Sequence, residues 1–153
     1  MKKILFCAVT LMSVTVNFAQ SNYSEIKQIG LANDSYVEQL GATNRSIVYQ
    51  DGSNNSSSLV QLGIFNLSNL QQTGSANISI VNQNGSTNVS NVVQLGDTNV
   101  SNLEQIGTRN TNIVNQDGNA NKSEILQIGM DNTSDVIQEE ANNTNFIDQL
   151  GND

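Results

Sequence analysis

Asn77-Ile-Ser79-Ile-Val81-Asn-Gln83-Asn-Gly85-Ser-Thr-Asn88-Val-Ser90-Asn-Val92-Val-Gln94-Leu-Gly96 decides the fold. The stretch holds one unit twice, eleven residues apart: Asn, then Ser, an aliphatic residue, Gln and Gly at steps of two. Steps of two are strand periodicity, because alternate residues of a strand face the same side; a helix would scatter these positions around its circumference. Each unit therefore reads as a strand of about seven residues and a turn of about four, with the fixed positions facing inward.

Outward from this stretch the unit fills the chain twelve times. Gln recurs as Gln28, Gln39, Gln50, Gln61, Gln72, Gln83, Gln94, Gln105, Gln116, Gln127, Gln138 and Gln149. Asn leads each unit as Asn22, Asn33, Asn44, Asn55, Asn66, Asn77, Asn88, Asn99, Asn110, Asn121, Asn132 and Asn143. The second position is Ser except at Asn112 and Asn145, and the third is always aliphatic, from Ile26 to Ile147. All 11 glycines occupy the fifth: Gly30, Gly41, Gly52, Gly63, Gly74, Gly85, Gly96, Gly107, Gly118, Gly129 and Gly151. Only Glu140 interrupts that series.

An inward set this polar is costly unless paired, since an unbonded buried amide costs about 1–3 kcal/mol. Stacking removes the difficulty: identical amides about 4.8 Å apart both donate to and accept from their copies above and below. The Asn and Gln series are thus expected to form structural ladders beside an aliphatic one. Gly is expected to supply the turns, where φ > 0 is needed. No Pro interrupts the backbone bonding. The expected fold is an all-β, cross-β solenoid of stacked strand-turn-strand coils.

Two closures fit the spacing. Three strands per 33-residue coil would stack the related segments beginning at Ser46, Ser79 and Asn112. Two strands per 22-residue coil would stack Leu40, Leu62, Asn84, Ile106, Ile128 and Leu150 along one edge. A triangle with sides of about 23 Å has an inner radius near ~7 Å, which Ser, Val and Gly cannot fill, whereas facing sheets need span only about 10 Å. Geometry favours the flat 22-residue coil.

The N-terminus is of another kind. Lys2 and Lys3, an apolar run from Ile4 to Val16 and small Ala19 predict a signal peptide over 1–19 and a solenoid domain over 20–153. The run is shorter than the ~20 residues of a membrane anchor. Cys7 lacks the small residues that precede a lipoprotein cysteine, so the mature chain is expected to have no thiol. Beyond the signal, Lys27, Arg45, Arg109 and Lys122 face 14 acidic residues. That balance argues against nucleic acid or an anionic membrane as partner. There is no His, and adjacent Glu139 and Glu140 face opposite ways or sit in a turn, so no catalytic residue, metal ligand, cofactor or small-molecule substrate is expected. The two glutamates read instead as a charged end that slows edge addition or disturbs one turn. Ten of the series asparagines sit in Asn-x-Ser, but as by-products of the repeat rather than glycosylation sites.

The motif resembles the curlin repeat family, whose members form the curli fibres of bacterial biofilms with the pattern Ser-x5-Gln-x-Gly-x2-Asn-x-Ala-x3-Gln. Gln28-Ile-Gly30-Leu-Ala-Asn33-Asp-Ser35-Tyr-Val-Glu-Gln39 follows it, with Ser35 in the Ala position; the leading Ser is here Asn22, Asn44, Asn66, Asn88, Asn110 and Asn132. The resemblance implies export through an outer-membrane secretion apparatus and templated extracellular assembly at the surface or in the matrix of a bacterium with an outer membrane. It also implies self-association, with a homologous nucleator or major subunit as further partner. The repeats start within three residues of the expected cleavage site, where the family carries a longer non-repeat segment, and both ends of the solenoid are expected to be uncapped. The alternative function is a monomeric secreted solenoid that binds a glycan, ice or a surface. It would want a regular outward array of Thr or aromatics, whereas Tyr36, Asn69, Asn102 and Asp135 are mixed. Calcium-binding solenoids need Gly-Gly-x-Gly-x-Asp turns, which are absent.

Overall fold

The computed structural model describes residues 21–152, and the signal peptide expected at 1–19, with Cys7, lies outside them. Twelve nine-residue strands follow one another: β1 (Tyr23–Leu31), β2 (Asp34–Ala42), β3 (Arg45–Ser53), β4 (Ser56–Ile64), β5 (Leu67–Ser75), β6 (Ile78–Ser86), β7 (Val89–Asp97), β8 (Val100–Thr108), β9 (Thr111–Asn119), β10 (Lys122–Met130), β11 (Thr133–Ala141) and β12 (Thr144–Asn152). Odd strands form one six-stranded parallel sheet and even strands the other. Every pairing has a 22-residue register, for example Gln50 with Gln72 and Gln61 with Gln83.

The chain is therefore a β-solenoid of six two-strand coils. The 33-residue closure does not occur: the segments starting at Ser46, Ser79 and Asn112 lie on β3, β6 and β9, which fall in alternate sheets. Leu40, Leu62, Asn84, Ile106, Ile128 and Leu150 stack in one row instead.

The apolar core is one column along the axis. Val48, Leu59, Leu70, Val81, Val92, Leu103, Val114, Ile125 and Val136 are at most 5% exposed, with Val37 and Ile147 packed against them. Alternation accounts for this, since one residue in two points between the sheets and the unit places Ser, aliphatic and Gln there in turn. A core one aliphatic residue wide leaves a large share of cohesion to hydrogen bonds.

Strands are longer, and connections tighter, than the seven-plus-four division read from the spacing. Each glycine lies inside its strand at φ between +103° and +134°, and bends it. A second corner precedes each Asn, where Ala32, Thr43, Asn54, Phe65 and their successors take φ near +55° to +62°. From Asn54 onward these amides bond the coil before, as Asn54 N does the Leu31 carbonyl at 2.9 Å. Two bends a few residues apart reverse the chain with only two residues outside the sheets.

Candidate functional site

The unit's amides form continuous columns. In the odd sheet Gln28 Nε2 donates to Gln50 Oε1 at 2.7 Å, and the relay passes through Gln72, Gln94 and Gln116 to Gln138 at 2.8–2.9 Å. The even sheet repeats it from Gln39 to Gln149 at 2.7–2.9 Å. The other Nε2 hydrogen crosses to the facing sheet, as from Gln94 to the Ile78 carbonyl at 2.9 Å. Both donors of each interior glutamine are thus used, so Gln50 to Gln127 can be almost wholly buried.

Asparagine works differently. Asn44 N donates to Asn22 Oδ1 at 2.9 Å, and the pattern recurs up to Asn143 N on Asn121 Oδ1 at 3.0 Å. From Asn33 to Asn132 each Nδ2 reaches the carbonyl of the residue 19 positions on, a glycine in every case but Asn121, which meets Glu140; Asn77 reaches Gly96 at 2.8 Å. Asn55, Asn66, Asn77, Asn132 and Asn143 add a bond to the asparagine one coil earlier, at 3.0–3.2 Å. The asparagines therefore tie the corners down, side chain to backbone.

Serine makes the weakest column. Ser46 bonds Ser24 at 3.0 Å and Ser57 bonds Ser35 at 2.9 Å, but the Ser79, Ser101 and Ser134 hydroxyls are buried without a partner. Asn112 is worse placed: it is fully buried and neither end of its amide is bonded. Asn112→Ser is expected to stabilise the soluble chain by about 1–2 kcal/mol, because two orphaned amide groups are replaced by one small hydroxyl. Equilibrium urea unfolding measures this, and a loss of stability would show that the amide has a partner after all.

The columns run one way and so end unequally. Among the described residues, Gln138 and Gln149 each keep one Nε2–H without a partner, and Asn132 and Asn143 each keep an unoccupied Oδ1. At the other end, again among the described residues, Gln28 and Gln39 keep an unoccupied Oε1, and the Asn22 and Asn33 backbone amides have no partner. Among the described residues, strands β1, β2, β11 and β12 each pair on one side only. Coil-to-coil bonding thus leaves donors at one edge that match acceptors at the other, and the reverse.

The outer faces carry little organised charge. Arg109 donates twice to Asp131 across one coil, at 2.6 Å each, which holds that exposed carboxyl below its ordinary range. The Asp97 carboxylate accepts from Ser75 Oγ and N, with the same effect. Arg45 lies over the Tyr23 ring and Lys27 over Tyr49. Tyr23 and Tyr36 hydroxyls donate to Glu25 and Glu38, which raises both phenols above their usual value. Among the described residues no group of three or more His, Cys, Asp or Glu could hold a metal ion.

Comparison with known families gives one match. The curlin associated repeat matches residues 37–63 and 107–139. The first region runs from within β2 through β3 to Gly63 of β4, and the second from Gly107 through β9 and β10 into β11, so each spans about one coil or more. No curated protein and no solved structure matches the chain.

Proposed function

We propose that the chain, two regions of which match the curlin associated repeat, is a curlin-repeat protein and the structural subunit of a secreted, curli-type amyloid fibre of the biofilm matrix that supports cell adhesion. The proposed building step is head-to-tail stacking: β11 and β12 of one copy pair in parallel with β1 and β2 of the next, in the 22-residue register. One observation carries the reading, the complementary edges. The Nε2–H groups of Gln138 and Gln149 meet the Oε1 atoms of Gln28 and Gln39 of the next copy, and its Asn22 and Asn33 amides meet Asn132 and Asn143 Oδ1. Unpaired parallel edges of this kind template further strands. The curlin repeat is a structural module, and no catalytic role is assigned. Signal cleavage after Ala19, passage through an outer-membrane apparatus and start-up on a homologous nucleator complete the proposed route.

The chain without residues 1–19, diluted from denaturant over a range of concentrations, is expected to assemble after a lag that sheared seeds shorten. The product is expected to bind amyloid dyes and to diffract at about 4.8 Å and about 10 Å. A chain that stays monomeric for days at high concentration and saturably binds a glycan or ice would replace this reading with a binding module.

A further inference from the structure

Coils sit so close at the fifth position that only hydrogen fits there. A methyl carbon on any glycine from Gly30 to Gly118 would lie 1.7–2.2 Å from the backbone carbonyl oxygen of the residue 22 positions later. That is far inside van der Waals contact, and the obstacle is main chain, which cannot swing aside. Glu140 alone carries a Cβ at this position, and it stands on β11, on which no strand is stacked among the described residues. The backbone there has already moved, to φ +69° from the glycine range of +103° to +134°. The side towards the preceding coil is intact, since the Glu140 carbonyl still accepts from Asn121 Nδ2 at 3.0 Å and Glu140 pairs with Gly118. Only the side towards a following coil is altered. On β12 the corresponding Gly151 faces open space.

We propose that Glu140 is a steric stop built into one strand of the C-terminal edge, so that a second copy of this chain stacks fully on β12 but not on the end of β11. In the 22-residue register Gly30 of the second copy falls over Glu140, and its carbonyl meets the Cβ. The same register sets Asp135 beside Glu25 and Asp148 beside Glu38 of the second copy, two like-charge pairs that add to the barrier without depending on residue 140. Among the described residues the N-terminal edge has no such obstacle. It fits best a chain of the same coil whose last turn has glycine on both strands, so this subunit joins a related chain more readily than it joins itself. The proposal rests on the fibre reading and identifies which contact limits it.

The test compares seeded elongation of the chain without residues 1–19 as wild type, E140G, E140A and E140Q, each on sheared fibres of E140G. Relief of an overpacked contact predicts that E140G grows about tenfold to hundredfold faster than wild type. E140A and E140Q keep the Cβ and are expected to stay within about threefold of wild type, also in about 1 M salt, which screens charge but not volume. No growth of wild type beside growth of E140G supports the proposal equally. Equal growth of wild type and E140G would overturn it while the fibre reading stands. E140Q as fast as E140G would overturn it in favour of charge. Failure of all four to form fibres under any condition would overturn the fibre reading, and the proposal with it.

Discussion

Gly85→Ala is expected to destabilise the soluble solenoid by more than about 4 kcal/mol and to leave a chain without strand signal at room temperature. Two costs coincide at this residue. Its φ is +126°, where an L side chain is strained by about 1–3 kcal/mol. The added carbon would also lie 1.9 Å from the Gly107 carbonyl oxygen, so coils must part locally and the bonds on either side of the corner stretch with them. Gly151→Ala separates the two costs, because nothing lies within 4 Å of its added carbon and only the strain remains. Urea unfolding of both variants followed by circular dichroism measures the difference. A Gly85→Ala chain as stable as Gly151→Ala would mean that coils are not packed as closely as the carbonyl distances indicate.

Gln94→Glu is the second large effect, and it depends on pH. Gln94 is fully buried, donates to Gln116 Oε1 and the Ile78 carbonyl, and accepts from Gln72 Nε2. A carboxylate there keeps the acceptor but replaces the NH2 group and both its donors by one oxygen that faces two acceptors, with no cation to offset the charge. The expected loss near neutral pH is about 3–5 kcal/mol, the usual result of an uncompensated buried charge. The sign follows from linkage. Burial raises the folded-state pKa of this Glu above its unfolded value of about 4.3, so the folded state binds the proton more tightly. Stability is therefore greatest below about pH 4 and falls as pH rises. Unfolding midpoints of wild type and variant at several pH values test this, and a gap between them that does not narrow on acidification would overturn the account.

Much of this architecture is legible in the spacing, for an identifiable reason. A period of two fixes which residues face inward, and an inward Gln or Asn recurring every eleven residues is tolerable only beside its own copies. Closure follows from volume, since Ser, Val and Gly cannot fill a triangular coil. The corners are less legible. Gly85 at +126° occupies a region closed to L side chains and so marks itself in the sequence, whereas Ala76, Phe65 and Arg109 take φ of +55° to +58°, a left-handed region that L residues enter at modest cost. That second corner leaves no compositional trace, so the strands read shorter in the spacing than they are. Spacing also places Asn and Gln alike on the inner face, but cannot show that Gln bonds mainly Gln while Asn bonds mainly backbone. The amide at Asn112 fits the pattern as a polar inward residue and still lacks a partner, because spacing carries no information on side-chain geometry.

The opposed orientation of the two amide columns bears on how long such a rod can grow. Glutamine amides point Nε2 towards the C-terminal edge, as from Gln72 to Gln94, whereas asparagine amides point Oδ1 that way, as from Asn88 to Asn110. Had both columns aligned, their dipoles would add coil by coil, as in an α-helix, and partial charge of opposite sign would gather at the two tips. The oppositely directed Oδ1 and Nε2 contacts offset part of that moment within every coil. A filament built from these coils would therefore gather less charge at its tips than one whose amide columns all aligned.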